Sequence, residues 1–179
     1  SPMTEGLSRT PGMPYNIKEQ PTLTFVARQK GEAWNRPFVA IYEPSSVKEP
    51  GCITEVSFSE VKSKTENSAT GICVVQKNGR TDYILSSDNP TDICTSGKMS
   101  AQATYALWGN KKGDDCTFFL GYGTLLSTPN VVIKAETPAD VLLEFKKGTW
   151  YYTASTDCTV SIQKKTYKLK ANTEEKTLK

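Results

Sequence analysis

The chain has 179 residues and a mass of 19.7 kDa, room for one domain or a small pair with a real core. Its mean hydropathy of −0.46 and the lack of any run near ~18 apolar residues exclude a membrane-spanning helix. The absence of histidine removes the commonest general base and the commonest transition-metal ligand, which argues against an independent enzyme.

Ser1 to Gln20 holds Pro2, Pro11, Pro14, Gly6 and Gly12 and lacks the apolar core of a signal peptide. It reads as an extended arm or interdomain linker over residues 1–20. From there the pattern turns to short runs of period two, separated by turn residues. Thr22–Gln29 places Leu23, Phe25 and Ala27 on one face. Arg36–Glu43 is apolar on both faces, which predicts a strand buried on both sides, and Pro44 and Pro50 then fence a loop. Cys52–Ser59 alternates, Lys62–Thr70 is a polar loop, and Gly71–Lys77 and Arg80–Ser86 flank Asn78-Gly79. That dipeptide predicts a hairpin with a two-residue type I′ turn. Met99–Trp108 follows, with Met99, Ala101, Ala103, Tyr105 and Leu107 expected inward. Further runs are Asp115–Tyr122, Val131–Glu136, Asp140–Lys146, Thr149–Ala154, Asp157–Gln163 and Thr166–Lys170.

One segment carries two patterns. Thr137-Pro138-Ala139-Asp140, then VLLEFKK and Gly148, has the capping residues of a helix. It also alternates Val141, Leu143 and Phe145 against Leu142, Glu144 and Lys146, and it is short for a helix among strands, which favours a strand. With 22 Thr and 15 Ser, the chain suits two-faced strands. The expectation is an all-β fold: an antiparallel β-sandwich of about a dozen short strands over residues 21–170, with 171–179 a frayed tail.

Residues 164–179 hold six lysines against Glu174 and Glu175, a net +4, so the other residues sum to −1. The basic balance thus reports a lysine-rich tail, and no nucleic-acid partner is expected. Cys52, Cys73, Cys94, Cys116 and Cys158 form no CxxC pair and, without histidine, no zinc set. Five is an odd number, so full pairing is impossible; inward-facing small hydrophobes on strands is the preferred reading. Asp114-Asp115 follows Gly113 in a turn, where carboxylates are ordinarily solvated. No metal, cofactor or catalytic residue is assigned.

The residues that suggest binding are aromatic. Trp34 lies in a loop two residues before Arg36, and Trp108 closes a strand. Trp150, Tyr151 and Tyr152 are consecutive, so Trp150 and Tyr152 share one strand face. Trp34, Arg36, Trp108, Trp150 and Tyr152 are the candidate carbohydrate-binding residues; filling the core is the alternative role of such rings.

Three stretches carry a resemblance. The run Trp34…Arg36-Pro37-Phe38-Val39-Ala40-Ile41-Tyr42-Glu43-Pro44 resembles the strand that carries a "pF-hydrophobic-EP" pattern in heparinase II/III-like polysaccharide lyases. Phe119-Leu120-Gly121-Tyr122-Gly123-Thr124-Leu125 is similar to their late "L-x-L-G-x-G-x-x-L" turn, and Lys147-Gly148-Thr149-Trp150 to their closing hairpin. The resemblance implies the C-terminal β-sandwich portion of such a lyase, whose helical N-terminal part and Tyr and His bases perform β-elimination on uronic-acid-containing polysaccharide. No His or Tyr here takes over a catalytic role. The implied partners are polysaccharide and the N-terminal catalytic domain of the same protein, and the implied setting is secreted or periplasmic. The alternatives are an independent carbohydrate-binding module and a structural or adhesive β module without a sugar ligand.

Overall fold

The computed structural model describes residues 39–111 and 115–178, together with the strand backbones at 4–10 and 22–28. The described residues form fourteen strands and no helix: β1 Thr4–Thr10, β2 Thr22–Arg28, β3 Ile53–Ser59, β4 Val61–Lys62, β5 Ala69–Gln76, β6 Arg80–Ser87, β7 Cys94–Ser96, β8 Met99–Lys111, β9 Cys116–Ser127, β10 Val131–Lys146, β11 Thr149–Ala154, β12 Cys158–Ile162, β13 Lys165–Leu169 and β14 Asn172–Thr177. The chain divides into two units, Ser1–Ala40 and Ile41–Lys179. In the first, β1 and β2 pair antiparallel from Thr4↔Arg28 to Thr10↔Thr22, so the expected linker contains a strand.

In the second unit, hydrogen bonds join twelve strands antiparallel. Three are long rather than short: β8, β9 and β10 run 13, 12 and 16 residues. Each belongs to two half-sheets. One half has the order β4-β7-β8-β9-β10-β12-β13, built on the start of β8 and β10 and the end of β9. The other has the order β3-β5-β6-β8-β9-β10-β11-β14, built on their opposite ends. Side chains from both halves, among them Met99, Leu126, Ile133 and Val160 from one and Leu85, Leu120, Val141 and Leu143 from the other, form a single core. The three shared strands therefore fold the sheet over on itself into a sandwich.

The fold line is written in small residues and bulges. Ala139 pairs Gly123 and Val141 pairs Leu120, so Gly121 and Tyr122 together oppose Asp140. Tyr122 has φ +45°, and its N–H donates to Asp140 Oδ1 at 2.8 Å. A Cβ on Gly123 would lie 2.6 Å from Leu120 Cδ1 and 2.7 Å from the Gln102 carbonyl oxygen, so only glycine lets β8 and β9 close here. On β10 the ladder to β9 skips from Lys134 to Ala139, and Pro138 falls in the gap, where no N–H is needed.

These features correct several expectations. The run expected to end at Tyr122 continues to Ser127, and Gly121-Tyr122-Gly123 is a bend inside β9. The 137–146 segment is strand: Val141 and Leu143 are fully buried, and Asp140 bonds across the bulge instead of capping a helix. Along β8, Met99, Ala101 and Ala103 face the core, but beyond the fold line the buried position is Ala106, and Tyr105 and Leu107 face outward. The Asn78-Gly79 hairpin forms, but only Gly79 has positive φ, and its N–H bonds the Gln76 carbonyl at 3.0 Å; this is a three-residue loop with glycine in the left-handed region. The type I′ signature, positive φ at both central residues, belongs to Lys147-Gly148. Residues 172–177 are β14, paired with β11, and not a frayed tail. Residues 39–43 form no strand; Ile41 and Tyr42 are exposed, and Glu43 turns back to accept the N–H groups of Cys52 and Ile53, closing the expected proline-fenced loop.

Candidate functional site

The end of the sandwich away from the fold line is a cleft of about 170 Å³ between the two half-sheets. Antiparallel register explains what lines it. Directly paired residues share a face, so Trp108, Phe118, Leu143 and Tyr152 form one inward row. Two residues nearer the end comes a second row: Asn110, Cys116, Phe145 and Trp150. The opposite wall comes from Thr128, Asn130 and Val131 at the β9–β10 turn and Ile162 and Gln163 at the β12–β13 turn. Both ends of β9 thus reach one cleft, although a straight strand of that length would separate them by about 36 Å.

Aromatic packing fixes the walls. Trp108 stacks on its cross-strand partner Tyr83, with ring centroids 5.0 Å apart and an interplanar angle of 29°. Trp150 packs on Phe145 at 5.1 Å and on Phe118 at 6.1 Å. Both tryptophans are half-buried, so each keeps part of its ring at the cleft. The opposite wall is braced by Thr128, whose N–H donates to the Val131 carbonyl at 2.8 Å, and by the Gln163 N–H, which donates to the Asn130 carbonyl at 2.7 Å. Asn110, Asn130 and Gln163, all exposed, are also among the residues lining the cleft. Among the described residues, none of their side-chain amides bonds another side chain or the backbone, so their donors and acceptors are available to a ligand.

Among the described residues, no ionisable acid or base other than the Cys116 thiol lines the cleft. Burial pushes that thiol up from its ordinary range, which keeps it protonated and unreactive near neutrality. Burial likewise raises Cys73 and takes Cys158 to about 11, the latter helped by the neighbouring Asp157 carboxylate. The five thiols are unpaired; Cys94 and Cys158 are buried, Cys73 and Cys116 half-buried, and Cys52 exposed. The inward-hydrophobe reading thus holds for four of them to different degrees and fails for Cys52. Among the described residues no three His, Cys, Asp or Glu side chains come together as a metal site.

Of the sequence candidates, Trp108 and Trp150 meet at the cleft. Tyr152 lies in the core, 9% exposed, and has no face to offer a ligand; its position two residues from Trp150 points it down the same wall, one row deeper. Trp34 and Arg36 lie outside the described residues. Asn110, Asn130, Gln163 and Phe118 were not read from the sequence as site residues. The three amides sit at strand ends or in turns, where such residues look like ordinary punctuation. The antiparallel ladder places the β8–β9 and β10–β11 turns at one end of the strands and the β9–β10 and β12–β13 turns at the other, and only the fold of the sheet brings the two sets to one cleft.

The described residues thus form an all-β sandwich whose cleft is lined mainly by aromatic and uncharged polar residues. In comparison with known proteins, residues 57–145 match the family described as the endo-acting ulvan lyase C-terminal domain. Over this stretch the chain is similar to the C-terminal domain of a polysaccharide lyase. It is also 31% identical over 127 residues to an endo-acting ulvan lyase of Formosa agariphila, an alignment covering 67% of this chain and 15% of that protein. The chain thus spans a small part of the relative's length. The resemblance to a polysaccharide lyase C-terminal portion stands at this level, without specifying the heparinase II/III-like type. No solved structure matches the chain.

Proposed function

We propose that this chain is a non-catalytic C-terminal β-sandwich domain of an ulvan-lyase-type polysaccharide lyase, and that it holds glycan at the cleft between Trp108 and Trp150. One observation carries the reading: two tryptophans and three residues with uncommitted side-chain amides line one cleft, and among the described residues no group lining it is able to move a proton at neutral pH. Indole faces stack on sugar rings, and amides bond their hydroxyls; neither accelerates β-elimination. The work of such a domain lies outside the cytoplasm, with a secreted or periplasmic protein. The ligand is a uronic-acid-containing polysaccharide such as ulvan.

The domain also supports the catalytic part of its protein. The outward face of the second half-sheet supports this role. Phe58, Ile72, Ile84, Leu107, Phe119 and Leu142 are cross-strand neighbours there, a continuous apolar row with Phe58 69% exposed. A row of this kind fits an interface within a larger protein better than an independent module.

The test pairs two measurements on the 179-residue chain. Incubated with ulvan, it forms no unsaturated product by ultraviolet absorbance, and calorimetry detects ulvan oligosaccharide binding at millimolar concentration or below. Product formation would overturn the non-catalytic assignment, and absence of binding at millimolar ligand would overturn the glycan-holding one.

A further inference from the structure

We infer that the cleft takes a single acidic sugar residue, seated against Trp108 and Trp150, with its negative charge met by Lys164 and Lys165 of the β12–β13 turn. The inference rests on the glycan-holding reading and adds the size of the sugar unit held and the side chains that meet its charge. Size comes first. Sites that enclose drug-sized ligands run to roughly 300–1,000 Å³, and this cleft, at about 170 Å³, is smaller than any of those. It has room for one pyranose ring and not for a run of them.

Charge is the second argument. Among the described residues no carboxylate lines the cleft. Lys164 follows the cleft residue Gln163 at the tip of the turn, and Lys165 is the cross-strand partner of the cleft residue Ile162, hence on the same face. The Lys165 ammonium lies 4.8 Å from the Tyr167 ring centroid, a contact that holds the cation beside the cleft without neutralising it. Lys147 tops the β10–β11 turn three residues before Trp150. Among the described residues no ion pair engages Lys147, Lys164 or Lys165. Among the described residues at this end, Glu144 and Glu175 both pair with Lys146, and Asp115 Oδ1, itself outside the cleft lining, accepts the Lys147 backbone N–H at 3.3 Å. What remains is an uncharged, aromatic cleft with free cations at its rim, the complement of a sugar bearing a carboxylate or a sulfate ester.

The experiment is a tryptophan-fluorescence titration of the whole chain with ulvan oligosaccharides at low and at half-molar salt, on the parent and on a Lys164→Ala/Lys165→Ala variant. Both lysines are exposed, so the variant keeps its fold, and circular dichroism verifies this. The expected result is about a tenfold weaker affinity for the variant at low salt and a much flatter salt dependence. Equal affinity of both proteins at both salt levels would overturn acidic-sugar recognition and leave the glycan-holding reading intact. No binding by the parent at millimolar oligosaccharide would overturn both.

Discussion

The two ends of the sandwich are built from the same three strands and do opposite things. At the fold line, β8, β9 and β10 meet through Ala103, Gly123 and Ala139, and the half-sheets close with nothing between them. At the other end the same strands present Trp108, Phe118 and Phe145, joined by Trp150 from β11, and a cleft of about 170 Å³ remains. At the fold line the three strands run through with bulges, at the cleft end they stop in turns, and residue volume matches that difference. Small side chains let the sheet bend until the two inner faces touch, and large flat ones prop them apart where a ligand can enter.

If closure at the fold line holds the sandwich together, damage there has the largest effect. Leu120→Ala removes a fully buried side chain beside the bend and is expected to cost about 3–4 kcal/mol, measured by urea unfolding. Gly123→Ala forces a methyl against Leu120 and the Gln102 carbonyl, and the expected loss is about 2 kcal/mol, because backbone cannot yield as a side chain tip does. An unchanged midpoint for Gly123→Ala would show that the bend is not set by close packing.

The core between the two ends carries a pH signature. The folded Cys158 thiol titrates at about 11, above its ordinary value of 9.0, because burial disfavours the thiolate, with Asp157 adding repulsion. The sign follows: below pH 9 both folded and unfolded chains hold the proton, and between pH 9 and 11 the unfolded chain releases it first. Stability present below pH 9 is therefore lost as pH rises toward 11, by about 2 kcal/mol, and Cys158→Ala flattens that slope in unfolding experiments.

The smallest structural effect belongs to the cleft end. Trp150→Ala is expected to lower stability by only about 1–2 kcal/mol, because the ring is half-buried and one side faces the cleft. Its glycan affinity is expected to fall about tenfold or more, by calorimetry. A variant that loses stability and keeps affinity would place Trp150 with the core and not with the site.

Much of this was legible in residues. Period-two runs found most strands of the second unit, β4 and β14 excepted, and the alternation of Val141, Leu143 and Phe145 correctly outweighed a helix-capping pattern, because Val141 and Leu143 fill a core that strands surround. Trp108 and Trp150 were singled out as residues, but their meeting was not. That meeting depends on the bend in β9, and Gly121-Tyr122-Gly123 reads equally well as the end of a strand. The same bend reversed which side of β8 faces inward, so Tyr105 and Leu107 were misplaced. Val39 and Ile41 were misread for a different reason: apolar alternation describes a strand only where a partner exists, and among the described residues none pairs with them.

The occupancy of the cleft is open to direct observation. Titrating the chain with ulvan oligosaccharides while following the indole N–H resonances of its three tryptophans separates the sites by residue. The account predicts that the Trp108 and Trp150 signals shift together with one affinity. Shifts confined to Trp34, or none at millimolar ligand, would contradict it.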